Sequence, residues 1–263
     1  MPLLRTSLVA FAFLLLLAPA TLRIGSPDRG GAANQLRGLV SRARDIGRLV
    51  LSGNAAKAWW ALAYRAYSNS TSFGMRRDLS IPFSGPQAKL PITVRSLAAD
   101  DDLSALEPTP GISADEAFWR LTQRRLLASG LETCYVAVSP EGKVAYMQWL
   151  IPASENSRLR SVFGNLYPVL APDEALLEGA YTPDAFRGKG IMGAAMAQIA
   201  ERARDSGARW VITFVDAHNE ASIKGCARAG FQTYVRRNER FRLFFRQVSF
   251  EPIPSAEPLH PTS

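Results

Sequence analysis

The chain has 263 residues, of which 47% are apolar and 21% charged, a composition that supplies a packed globular core and suits one domain of ordinary size plus an extension. Two distant cysteines, Cys134 and Cys226, exclude a disulfide framework or a zinc site readable from spacing. The net charge of +8 is uneven: residues 1–85 hold eleven Arg/Lys against three Asp, whereas residues 86–263 hold twenty charges of each sign, so the basic character belongs to the N-terminal third.

Residues 7–22, "SLVAFAFLLLLAPATL", are apolar throughout and look like the hydrophobic part of a signal peptide, with Ala18-Pro19-Ala20 as a cleavage motif. The arginines that follow at 23, 29, 37, 42, 44 and 48 resist translocation. Sixteen residues also fall short of the roughly 20 needed to span a bilayer. A short anchor on the cytoplasmic face of a membrane is the expected reading. Between residues 34 and 67 apolar side chains recur at helical spacing (Leu36, Leu39, Val40, Ala43, Ile46, Leu49, Val50), followed by a second run with Trp59, Trp60, Tyr64 and Tyr67. A basic, aromatic, amphipathic pair either lies on an anionic membrane surface, giving a contact region over residues 7–67, or packs on the main domain. Nothing in it matches a nucleic-acid reading module, so no nucleic-acid partner is expected. Residues 68–91 are rich in Ser, Gly and Pro and read as a linker. The expected organisation is an N-terminal extension with linker over 1–88, a compact domain over 89–250 and a flexible tail over 251–263.

From Lys89 strands and helices alternate. A strand is expected over 90–97. The helix over 113–129 has Ser113 as N-cap, with Glu116 three residues on as in a capping box. Two strands flank the turn Pro140-Glu141-Gly142, and a further strand over 175–182 runs into "PDAFRGKGIMG". A helix over 191–207, a strand over 209–217, a short helix over 219–230 and a terminal strand pair over 231–250 complete an α/β (α+β) pattern.

Gly188, Gly190 and Gly193 spell G-x-G-x-x-G between a strand and a helix. Such a junction points free backbone N–H groups and the positive end of a helix at an anion, and Arg187 and Lys189 add charge. Three readings follow: a dinucleotide loop, a loop for another phosphate ligand, and a tight turn. Asp216, 26 residues after Gly190 at the end of the next strand, partly suits a dinucleotide. The late position of the loop, behind at least four strands, does not.

Two blocks together resemble the GCN5-related N-acetyltransferase (GNAT) family over about residues 89–248. The first is Arg187-Gly188-Lys189-Gly190-Ile191-Met192 followed by Gly193, where Met192 stands at the usual Gly/Ala place. The second is Asn219, Ser222, Arg228, Gly230 and Phe231, where Cys226 stands at the place of the family's Tyr. Glu178 and Pro183 also fall where the family often has Glu and Pro. The resemblance implies a mixed, splayed β-sheet flanked by helices, here with an N-terminal helical extension. It implies acetyl-CoA as co-substrate, no metal, a cytoplasmic location, and an amine acceptor that the sequence does not identify. Its phosphates would be held by Arg187, Gly188, Lys189, Gly190, Ile191, Met192 and Gly193, with Asn219 and Ser222 nearby.

An amine must be neutral to attack a thioester, and a carboxylate, directly or through water, can take its proton. Glu178 is the first candidate and Glu174 the second, while Asp173 and Asp184 read as solvated. A backbone N–H of Ala180 or Tyr181 would serve the oxyanion. The leaving thiolate could be protonated by Tyr181, Tyr234, Cys226 or water, and Cys226 reads first as a small buried structural residue. Two other functions stay open: a CoA-binding module without chemistry, and a membrane-associated acyltransferase of a lipid, sugar or long-chain substrate.

Overall fold

The computed structural model describes residues 63–107 and 109–253. The anchor or signal over 7–22, the helices expected up to residue 62 and the tail beyond 253 lie outside the described residues. The chain divides into two units, Met1–Ser70 with Glu239–Gln247, and Thr71–Asn238 with Val248–Ser263.

The strands are β1 (Tyr67–Asp78), β2 (Thr93–Ser96), β3 (Cys134–Val138), β4 (Val144–Pro152), β5 (Glu174–Tyr181), β6 (Trp210–Asp216), β7 (Gln232–Arg242) and β8 (Phe245–Pro252). The helices are α1 (Ala114–Leu127), α2 (Asn156–Phe163), α3 (Ile191–Arg202) and α4 (Glu220–Arg228). One sheet runs in the order β2-β3-β4-β5-β6-β1-β7-β8. β5 and β6 pair parallel, whereas β2–β3, β3–β4, β4–β5 and β1–β6 are antiparallel, which makes the sheet mixed.

Local chemistry sets the helix starts. The Ser113 hydroxyl accepts from the Glu116 amide at 3.1 Å, and Asn219 caps α4 by accepting from Ser222 N. The hairpin turn closes with Gly142 N donating to Ser139 O. β4 is buried along nearly its whole length, as a central strand covered on both faces must be. Tyr146 and Leu150 pack with Ile191, Met196 and Ile199 of α3; Met147, Trp149 and Ile151 pack with Leu126 of α1 and Leu159 of α2. Successive residues thus serve opposite faces, as the two-residue period of a strand requires.

The expected linker over 68–91 is corrected in its first part: residues 67–78 are strand β1, paired to β6 from Ser72↔Asp216 to Asp78↔Trp210. The strand escaped hydrophobic alternation because its inward positions include Ser72, Gly74 and Arg77. Arg77, 3% exposed, donates to Ala197 O at 3.1 Å and pairs with Glu201, so a guanidinium stands where an aliphatic side chain would mark the strand. At Gly74 an added Cβ would lie 2.3 Å from Val235, so close packing and not a turn selects glycine. α2 was likewise absent from the sequence reading. Among the described residues no helix is long and apolar enough to cross a membrane.

Candidate active site

β5 and β6 are paired only from Glu174↔Trp210 to Leu177↔Thr213. Both strands continue, to Tyr181 and to Asp216, without pairing to each other. Their C-terminal ends therefore part, and Glu178 is the first residue of β5 beyond the last pair. On its other side β5 pairs with β4 as Met147↔Tyr181 and Trp149↔Glu178, so one extra residue is accommodated between Glu178 and Tyr181. This bulge includes Gly179 at φ 69°. An added Cβ at Gly179 would lie 2.6 Å from Leu126 and 2.9 Å from Trp149, which demands glycine on both steric and conformational grounds. Ala180, next in the bulge, is exposed.

The Glu178 carboxylate meets Tyr167 and Arg237. Burial raises it above the ordinary carboxylate value; the Tyr167 hydroxyl, which donates to it, and the Arg237 charge offset that only in part. Arg237, on β7, is itself buried. It donates to Ser72 Oγ at 3.0 Å and lies over the rings of Phe214 (4.8 Å) and Tyr167 (5.3 Å). Its Nε is buried without a hydrogen-bond partner, and so is Nε1 of Trp149. A carboxylate with a raised pKa, beside aromatic rings at the opening of two strands, is a stronger base than an exposed one.

At the far end of β5 the glycine loop begins α3. Gly190 is the N-cap, left-handed at φ 73°, and no side chain caps the helix. The first-turn amides of α3 thus point outward without an intrahelical acceptor. Gly188 is also left-handed, and a Cβ there would meet nothing within 4 Å, so open space borders the loop. These features suit the paired phosphates of coenzyme A: bare amides, a positive helix end and room beside them.

Arg187 sits differently from the expectation that it adds charge for a phosphate. Its guanidinium donates to Glu116 Oε2 at 2.6 Å and to Thr182 O at 3.0 Å, and pairs with Asp184. Glu116, 2% exposed, also accepts from Arg120 at 2.8 Å and from the Tyr181 hydroxyl at 2.5 Å. Burial works to raise this carboxyl, but the donors from Tyr181, Arg120 and Arg187 outweigh it and hold it below the ordinary value. Glu116 therefore ties α1 to β5 and to the glycine loop. Only its capping role was legible in sequence. Its second role left one signal, Arg120 four residues on.

Tyr181 is buried, and its hydroxyl is committed to Glu116. Cys226 is 1% exposed in the core beside α3, where burial lifts its thiol to about 12; that placement argues for packing and against proton donation. Tyr234 is partly buried, and burial raises its hydroxyl as well, to about 12. The Asn219 side chain and the Ser222 amide are engaged with each other in the cap of α4. Met192 is partly buried, and its sulfur would lie 3.0 Å from a Cβ added at Gly225, so α3 and α4 meet there. Glu174 stands at the closed end of the β5–β6 pair and accepts from Ala171 N. Tyr167 was not singled out by sequence because the segment after α2 carries no motif, and Arg237 because it lies on β7, far from Glu178 along the chain.

A cavity of about 530 Å³ is lined by residues 83 and 85–92, by Arg77, and by Ala194, Ala197, Gln198 and Glu201 around α3. No residue of the parting β5 and β6 lines it. Among the described residues no group of three or more His, Cys, Asp and Glu is arranged to hold a metal ion.

Residues 105–231 match the model of the Acetyltransferase (GNAT) family. Comparison with curated proteins finds no match. Among solved structures, the chain is similar to a GNAT-family acetyltransferase from Colwellia psychrerythraea (16% identity, 74% of this chain and 61% of that one, TM-score 0.40). It is also similar to a GCN5-related N-acetyltransferase from Sphaerobacter thermophilus (15% identity, 82% and 69%, TM-score 0.39). The chain thus spans about three fifths of the length of the first of these.

Proposed function

We propose that this chain, a member of the acetyltransferase (GNAT) family through residues 105–231, transfers an acetyl group from acetyl-CoA to an amine by direct attack. The observation that carries the reading is the parting of β5 and β6 beyond Leu177 and Thr213, with a carboxylate at the point of opening and bare helix-end amides on the loop that follows β5.

The amides of residues 188–193 and the N-terminus of α3 hold the pyrophosphate, with Lys189 beside them. The thioester enters where the two strands part. Glu178 takes a proton from the incoming ammonium, directly or through one water, and the freed nitrogen attacks the carbonyl carbon. Its raised pKa suits this role, because it makes the carboxylate the stronger base. The amide of Ala180, presented by the bulge, serves the oxyanion; collapse of the tetrahedral adduct breaks the C–S bond and expels the CoA thiolate, which takes through water the proton that the attacking nitrogen sheds. The Tyr167 hydroxyl and the Arg237 charge keep Glu178 ionisable despite burial.

A thermal-shift series with acetyl-CoA and longer acyl-CoAs tests binding, since a ligand of the native state raises its melting temperature. Release of free thiol with a panel of amines tests transfer. Binding without thiol release from any amine would favour a binding module; absence of a shift with every acyl-CoA ends the proposal.

A further inference from the structure

The unit formed by Met1–Ser70 and Glu239–Gln247 holds twelve Arg/Lys against three Asp/Glu, a net of +9, whereas the rest of the chain holds nineteen against twenty. The whole excess charge therefore belongs to one unit. Among the described residues nine large hydrophobic side chains are exposed, and four of them, Tyr64, Tyr67, Leu243 and Phe245, fall in the few described residues of this unit.

The four are gathered at the β7–β8 hairpin end. Arg242 lies 4.0 Å over the ring of Tyr67, and Tyr64 packs on Phe241 at 5.7 Å. Leu243 N and Phe244 N donate to the carbonyls of Ala66 and Arg65 at 2.8 and 2.9 Å. Residues 65 and 66 thus lie against this tip. Arg240 is exposed at the same end.

The turn itself is unusual. Leu243 and Phe244 sit at φ 48° and 69°, the only non-glycine residues at positive φ among those described. A two-residue hairpin turn of this hand favours Asn-Gly, because bulky side chains are strained there. Here strain is tolerated, and Leu243 stands 77% exposed at the tip. A strained turn that holds an apolar side chain in water, ringed by arginines and tyrosines, has the chemistry of a surface that dips into a bilayer interface.

We propose that this hairpin end docks on an anionic membrane surface. Arginines meet lipid phosphates, tyrosines sit at headgroup depth, and Leu243 and Phe245 enter the acyl boundary. Apolar reach at the tip favours lipid over nucleic acid, whose binding needs charge but no exposed leucine.

The test is flotation of the full chain with vesicles of phosphatidylcholine alone and of phosphatidylcholine with an equal part of phosphatidylglycerol, at low and high salt. Binding to the anionic vesicles only, weakened by salt, is expected. A Leu243→Asn/Phe245→Ser variant should bind about tenfold or more weakly, while its acetyl-CoA thermal shift and circular dichroism match the parent. Leu243→Asn/Phe244→Gly, which suits the turn, should melt at or above the parent temperature and also bind less. Equal vesicle binding by parent and variants overturns the proposal, as does binding to duplex DNA but not to vesicles.

Discussion

The Tyr181 hydroxyl on β5 donates to the buried Glu116 carboxylate on α1 at 2.5 Å, and that carboxylate also holds Arg187 of the glycine loop. One acidic group thus fixes the helix, the strand and the loop that surround the proposed acetyl-CoA site. Removing its charge takes the carboxylate from Arg120 and leaves Arg187 with Asp184 alone. Glu116→Gln should cost about 2–3 kcal/mol in denaturant unfolding, below the usual figure for a broken buried pair because Arg187 is half exposed. Tyr181→Phe should cost about 1–2 kcal/mol. A Glu116→Gln protein with parental stability would show the hub to be idle.

The same group gives a signed pH dependence. Its folded value lies below the ordinary 4.5, so its contribution is full above that pH and is lost as pH falls through the folded value. The stability gap between parent and Glu116→Gln should therefore narrow on acidification below 4.5, read from melting curves across acid pH.

Glu178 has the opposite sign. Its value is raised in the fold, so ionisation opposes folding, and stability falls as pH rises from 4.5 through the folded value. Glu178→Gln removes that opposition. Its melting temperature relative to the parent should climb over this range, while the acetyl-CoA thermal shift persists and thiol release drops by about 10²–10⁴. Full activity at every pH would remove Glu178 as base.

Tyr167 acts on the reaction through Glu178. Tyr167→Phe deletes a donor to the carboxylate, whose value should rise further. The rate–pH profile should move to higher pH with acetyl-CoA binding unchanged. A simple loss of stability with an unmoved profile would mark Tyr167 as packing alone.

Gly188 and Gly179 separate conformation from space, since both are left-handed, at φ 73° and 69°. A Cβ at Gly188 meets nothing, so Gly188→Ala should cost only about 1 kcal/mol. At Gly179 it strikes Leu126 and Trp149, and Gly179→Ala should cost at least about 2–3 kcal/mol, measured by denaturant unfolding.

Sequence pattern was informative where one element speaks for itself. Ser113 announced α1, the glycines announced the loop before α3, and Pro140-Glu141-Gly142 announced the hairpin. It was silent where an element's character depends on distant partners. β1 hides because Arg77 satisfies its guanidinium on Ala197 O and Glu201, more than a hundred residues on. Tyr167 and Arg237 hide because only folding brings them to Glu178. Glu178 itself was legible through the family resemblance, but its surroundings were not.

The insertion of β1 between β6 and β7 has a consequence for synthesis. A nascent chain displays Ser72–Asp78 long before the ribosome delivers Trp210–Asp216, so this strand must wait unpaired through most of translation. A fragment begun at Lys89 would lack it altogether and leave β6 and β7 with naked edges prone to aggregate.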